Sequence, residues 1–167
     1  MHKILNFKAC EVSGRYLARR PLTEEQILKA ALSLIKKKYS QKKLVINNPN
    51  DIKQALPITL SSYEHEVFVC FFLDTKHQLI EMEEMFRGTI DCSTVHPREV
   101  VKKALRINAA AVIFAHNHPS GNPEPSVADI SITKTLIDAL NLIDVRVLDH
   151  FIVGGSVPCS LAELGYI

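Results

Sequence analysis

His116 and His118 stand two residues apart in "AHNHPSGNPEPSVAD", with Ser126 and Asp129 following at fixed offsets. In an extended segment, residues two apart project to one side, so both imidazoles can converge while Asn117 faces away. Imidazole nitrogen is a preferred zinc ligand, and a catalytic zinc takes three protein ligands and leaves a fourth position for water. Asp129 is the nearest third donor. It shares a helical stripe with Ile132, Leu136 and Leu140, and a carboxylate on a buried stripe needs a partner. A metal ion supplies one. A second reading competes, because Ser126-Val-Ala-Asp129 fits a capping box at a helix start, where the dipole also favours Asp129. The two readings are compatible: Ser126 can hold the helix start while Asp129 turns to the metal. H-x-H followed at this spacing by S-x-x-D arises by chance in roughly one chain of this length in a thousand.

These groups need elements to hold them. "AAAVIFAHNH" reads as a short buried strand ending at the histidines, and "SVADISITKTLIDALNLI" as the helix that presents Asp129. "EVFVCFFLD", apolar on both faces, predicts a buried central strand. "TKHQ" turns it into a second strand, "LIEMEEMFRG", whose glutamates place one face in water. "HPREVVKKALRIN" predicts a helix with Pro97 in its first turn, His96 helping to start it, and Val100, Val101, Ala104 and Leu105 on one side. "VRVLDHFIVGG" reads as a strand and "SLAELG" as a terminal helical turn. Upstream, "PLTEEQILKAALSLIKKKYSQKK" is a helix. Thr23 and Gln26 form its capping box, Leu22 and Ile27 the staple, and Ile27, Ala31, Leu34 and Ile35 its apolar face. "VINNPND" reads as a linker and "DIKQAL" as a short helix. Alternating strands and helices predict an α/β (α+β) fold, a mixed β-sheet flanked by helices. The histidine loop lies where a strand gives way to a helix, the usual place for working residues.

The chain has 167 residues, 47% hydrophobic and 23% charged, an ordinary globular composition. No apolar run has the ~18 residues of a membrane span, and the start lacks a secretory pattern, so the expectation is a cytoplasmic protein without a membrane partner. Cys10, Cys70, Cys92 and Cys159 form no CxxC pair, which argues against a zinc ribbon, a thioredoxin-like motif or a disulfide framework. All four read as reduced, with Cys70 in the core. Residues 1–44 carry eleven Lys and Arg against three Asp and Glu, whereas residues 45–167 carry nine against fifteen. A basic head on an acidic body suggests nonspecific contact with nucleic acid or an acidic partner, or else a solvated helical face. The expected division is a basic helical extension over residues 1–45 and a second domain over residues 46–167.

His116-Asn117-His118, seven residues, Ser126, two residues, Asp129 resembles the H-x-H-x7-S-x-x-D motif of JAMM (JAB/MPN) zinc metallohydrolases. With "VHPREVVKKAL", "AHNHPSGNPEPS" and "DHFIVGG", residues 60–160 resemble the RadC branch of that superfamily. The resemblance implies a layout similar to the cytidine deaminases and one Zn2+ held by His116, His118 and Asp129 with a bound water. It also implies a glutamate from an earlier strand as general base. "YEHEVFVCFF" offers Glu64 and Glu66, and Glu66, directly before the strand, matches the family position. Zinc would lower the water's pKa toward ~7, Glu66 would shuttle the proton to the leaving nitrogen, and Ser126 would steady the oxyanion. The expected substrate is a protein or peptide, cut at a peptide or isopeptide amide.

His150 belongs to the RadC pattern, either supporting a metal ligand from behind or packing its strand. His2, His65 and His77 show no partner in the sequence. Longer RadC-like proteins carry a helix-hairpin-helix segment associated with DNA, and the first 45 residues here lack its glycine hairpins. The alternative to a hydrolase is a zinc-containing protein- or DNA-binding module linked to DNA repair. A zinc deaminase is excluded by the missing CxxC signature.

Overall fold

A computed structural model of the chain describes residues 7–9, 16–18, 21–41, 49–60, 63–88 and 95–167. They belong to two compact units, residues 1–42 and 43–167. The first unit holds an antiparallel pair, β1 (Phe7–Ala9) and β2 (Tyr16–Ala18), and the helix α1 (Glu24–Gln41). Thr23 and Gln26 form the expected capping box, each backbone N–H donating to the other's side chain at 3.3 Å. Ala30 is buried, but Ile27 remains 52% exposed, so the apolar face is narrower at its start than its spacing predicts. The side chain of Ile35 and residues Cys10 and Cys92 lie outside the described residues.

The second unit begins with α2 (Pro49–Leu60), which is longer than the sequence suggests. It opens on a proline, whose missing N–H costs nothing in a first turn, and it continues through Pro57. Ile52, Leu56 and Leu60, four residues apart, are all buried, so packing of this stripe holds the turn that proline weakens. The strands β3 (Val67–Leu73), β4 (Leu79–Arg87), β5 (Ala111–Asn117), β6 (Arg146–Val153) and β7 (Cys159–Ser160) form one mixed sheet in the order β4-β3-β5-β6-β7. Only β5 and β6 are parallel. A parallel neighbour requires a crossover, and α4 (Val127–Asn141) provides it. α3 (Pro97–Arg106) precedes β5.

Register decides which side chains share a face. Phe68, Cys70 and Phe72 of β3 stand opposite His116, Phe114 and Val112 of β5. That face packs against Val100 and Ala104 of α3 and Leu136 and Leu140 of α4. The reverse face lies under α2, which meets β5 and β6. Val100, Lys103 and Ala104 turn inward on α3, which leaves Leu105 59% exposed, against the sequence expectation. Lys103 reaches Glu81 at 2.9 Å and also Glu83, both on β4. His96 is the N-cap of α3 without a side-chain cap bond, and its ring meets the edge of Phe86 instead. The C-terminal stretch is a turn following β7. No helix among the described residues is long and apolar enough to cross a membrane.

Candidate metal centre

His116 is the penultimate residue of β5 and His118 follows the strand end, so the pleat sends both rings to the α3–α4 face. Ser126 is the N-cap of α4: its Oγ accepts the Asp129 N–H at 3.1 Å, and the Asp129 carboxylate accepts the Ser126 N–H at 2.8 Å. The capping box and the convergence on the histidines therefore coexist in one turn. His116 Nε2 lies 3.0 Å from His118 Nε2 and 3.2 Å from Asp129 Oδ1, and His118 Nε2 lies 3.4 Å from Asp129 Oδ2. Among the described residues these three form the one His/Cys/Asp/Glu group spaced to hold a metal ion.

The surrounding hydrogen bonds fix what the converging atoms are. Thr133 Oγ1 donates to the Asp129 carbonyl at 2.5 Å, so its lone pair accepts from His150 Nδ1 at 2.6 Å. His150 Nε2 is then an acceptor and receives Nδ1–H of His116 at 2.8 Å. His116 Nε2 is left with a lone pair. His118 Nδ1 faces the Asn122 carbonyl at 2.8 Å and must donate to it, so His118 Nε2 also carries a lone pair. With both imidazoles neutral, two nitrogen lone pairs and a carboxylate pointed at one another repel unless a proton or a metal ion lies between them. The edges of a zinc tetrahedron with bonds near 2.0–2.1 Å are about 3.3–3.4 Å; here the nearest pairs lie at 3.0–3.4 Å, the two imidazoles meeting different oxygens of the Asp129 carboxylate, and one ligand atom from each residue lies within 4.8 Å of the others. The donor types and their convergence suit a metal ion held by these three residues.

The electrostatics agree. With protons in place of a metal on the facing imidazole nitrogens, burial pushes the Asp129 carboxyl up, but hydrogen bonds from His116 and His118, the charge of His116 and the Ser126 hydroxyl outweigh it and hold the carboxyl well below its ordinary range. The carboxylate of Asp129 raises His118. His150, fully buried, is held well below the ordinary histidine value by desolvation and then by its neighbour His116. It is a neutral bridge rather than a charged group.

Glu66 stands directly before β3, half-buried, whereas Glu64 is exposed. Strand parity puts Glu66 on the face of Phe68, and therefore of His116. Burial raises its carboxyl above the ordinary value, and His116, Asp129 and His118 all act on it electrostatically. Ser126 is exposed but committed, its Oγ–H donating to Asp129 Oδ2 at 2.6 Å. All five expected residues thus gather at one end of the sheet. Three contributors escaped the sequence reading. Thr133 lies four residues after Asp129, a spacing that could have flagged it. Asn117 reads only as the residue between two histidines. Gly154 leaves room for the histidine loop: a Cβ there would lie 2.3 Å from the Asn122 carbonyl carbon and 2.4 Å from the Pro123 nitrogen.

Residues 46–166 match the family described as RadC-like JAB domain. The chain is similar to a UPF0758 protein of Vibrio cholerae, 50% identical over 153 residues, which cover 92% of this chain and 96% of that protein. It is also similar to UPF0758 proteins of Pseudomonas fluorescens, 56% identical over 128 residues, and Marinobacter nauticus, 56% identical over 120 residues. These alignments cover 77% and 72% of this chain but only 57% and 54% of those two proteins, so the chain spans little more than half their length.

Proposed function

The chain belongs to the RadC-like JAB domain family, and from that premise we propose that it is a JAMM-type zinc metallohydrolase cleaving a peptide or isopeptide amide. The observation that carries the proposal is the convergence of two imidazole lone pairs and the Asp129 carboxylate at 3.0–3.4 Å. In this reading His116, His118 and Asp129 hold the zinc ion, which supplies Lewis acidity, acidifying water to about pKa 7 and polarising the scissile carbonyl. A carboxylate oxygen of Glu66 takes the water proton and returns it to the leaving nitrogen. Its half-buried position raises the carboxyl toward the range where a proton carrier works best. Ser126 Oγ–H exchanges its Asp129 acceptor for the developing oxyanion of the substrate.

The experiment compares wild type, Glu66→Gln and Asp129→Ala for zinc content and for hydrolysis of a panel of peptide and isopeptide amides. The proposal expects one zinc per wild-type chain, retained in Glu66→Gln and lost in Asp129→Ala, with hydrolysis reduced to a small residual rate in Glu66→Gln and absent in Asp129→Ala. Full zinc occupancy with no hydrolysis of any amide would instead favour a zinc-containing binding module. Wild type purified without chelator and free of metal would remove the site.

The positive surplus of residues 1–44 supports a further part of the same proposal, nonspecific contact with nucleic acid or an acidic protein surface. Affinity for nucleic acid that does not fall with added salt would rule out a phosphate-binding role.

A further inference from the structure

Asn117 separates the two histidines and points away from them. Its side chain is nevertheless fully engaged and only 2% exposed. Oδ1 accepts the backbone N–H of Val67 at 2.8 Å, and Nδ2 donates to the His65 carbonyl at 3.0 Å and the Tyr63 carbonyl at 3.4 Å. The β3–β5 ladder ends at Phe68 opposite His116, so beyond that pair a side-chain amide replaces the strand backbone. It binds the residues on either side of Glu66. From the opposite side, Gly88 N–H donates to the Glu66 carbonyl at 2.8 Å. The backbone at Glu66 is therefore held from both neighbouring strands.

We propose that Asn117 is a positioning residue that sets the place of the Glu66 carboxylate relative to the His116–His118–Asp129 cluster. The amide side chain suits the task because the gap presents one donor, Val67 N–H, and carbonyl acceptors, and a carboxamide offers both functions in one plane. Asn117→Asp loses the donor and aims negative charge at two carbonyls. Asn117→Ala leaves a buried N–H and two carbonyls without their partner. Because His116 and His118 flank Asn117 in the chain, the metal-binding and proton-carrying halves of the site are fixed by three consecutive residues. The inference rests on Glu66 being the proton carrier of the proposed hydrolase, and the experiment separates the two.

Asn117→Ala is compared with wild type, alone and combined with Glu66→Gln. We expect zinc affinity within about threefold of wild type, and kcat lower by about 10- to 100-fold with KM little changed, the scale for displacing a reacting group by about an ångström. In the Glu66→Gln background the same substitution leaves kcat unchanged, since nothing remains to be positioned. An equal fall in both backgrounds would mean a general structural role and overturn the proposal. Co2+ in the site gives a readout without turnover. The pseudocontact shift of the Glu66 carboxyl carbon changes in Asn117→Ala, while those of Thr133 and His150 stay. If no amide is cleaved by wild type, the hydrolase reading falls and the Co2+ shift still decides the role of Asn117; an unmoved Glu66 signal overturns it. Should Asn117→Ala not fold, the wild-type Val67 amide decides: hydrogen exchange as fast as in an open loop overturns the proposal.

Discussion

His116 Nδ1 lies 2.8 Å from His150 Nε2, and this contact between neighbouring strands decides which nitrogen of His116 faces Asp129. The relay continues through Thr133 to the Asp129 carbonyl, so the ring orientation of His116 is tied to the helix that carries Asp129. Loss of such outer partners typically weakens metal binding by about 10- to 100-fold. His150→Phe fills the volume but removes the acceptor, and zinc affinity, measured by competition with a chromophoric chelator, should fall by that amount. Thr133→Val removes one link further out and should cost less. Unchanged affinity in both variants would mean that the relay merely packs the core.

Gly154 makes a second prediction. An alanine methyl there would press on the Asn122–Pro123 peptide, whose carbonyl accepts from His118 Nδ1. Backbone cannot yield as a flexible side chain does, so Gly154→Ala should destabilise the domain by about 1–3 kcal/mol. It should also weaken zinc binding, because His118 loses its orienting acceptor. Thermal unfolding and zinc titration check the two effects; a stability loss with full zinc affinity would separate the loop's packing from its ligand-orienting role.

The sequence reveals the sheet and the His116–His118–Asp129 cluster because both are written in short local patterns. The run from Val67 to Leu73 has no polar interruption, and it is buried throughout. His116, His118, Ser126 and Asp129 lie within a strand, a loop and one helical turn, so chain spacing alone brings them together. What it hides is relational. His150 reaches His116 only through the parallel pairing of β5 and β6. Asn117 meets Val67 across fifty positions of sequence. Pro57 suggests a helix end, yet burial of Leu56 and Leu60 carries the helix past it. Leu105 has an apolar side chain in an amphipathic helix, but Lys103 takes the inward place because Glu81 and Glu83 await it.

Ser126 serves the helix cap and the site together, and two substitutions divide those duties. Ser126→Ala loses the bonds to Asp129 and should cost about 1 kcal/mol of stability, lowering Tm by roughly 2–4 °C in a domain of this size. Asn is as good a cap, so Ser126→Asn should recover Tm. If the hydroxyl stabilises an oxyanion, amide hydrolysis stays low in both variants. Activity that returns with the cap would restrict Ser126 to a structural role.

Protons should substitute for metal in a pH-dependent way. His150 is held below its ordinary 6.5 by burial, so the unfolded chain binds its proton first and stability falls as pH drops below 6.5. Asp129, held below 3.8, adds a further loss at lower pH, as protons are forced onto a carboxylate that the fold keeps ionised. His118 acts in the opposite sense. Its pKa is raised above 6.5 by Asp129, so its stabilisation is complete below 6.5 and disappears as pH rises through the folded value. The joint contribution of these three residues in the metal-free protein should therefore peak near pH 6.5. Zinc needs the deprotonated imidazoles and should remove the decline on the alkaline side. At a thousandfold excess over Kd it adds about 4 kcal/mol, on the order of 8–16 °C in Tm. Chemical denaturation across pH 5 to 9, with and without zinc, measures both curves; His118→Gln should flatten the alkaline limb of the metal-free curve, and a limb that survives this substitution belongs to other groups.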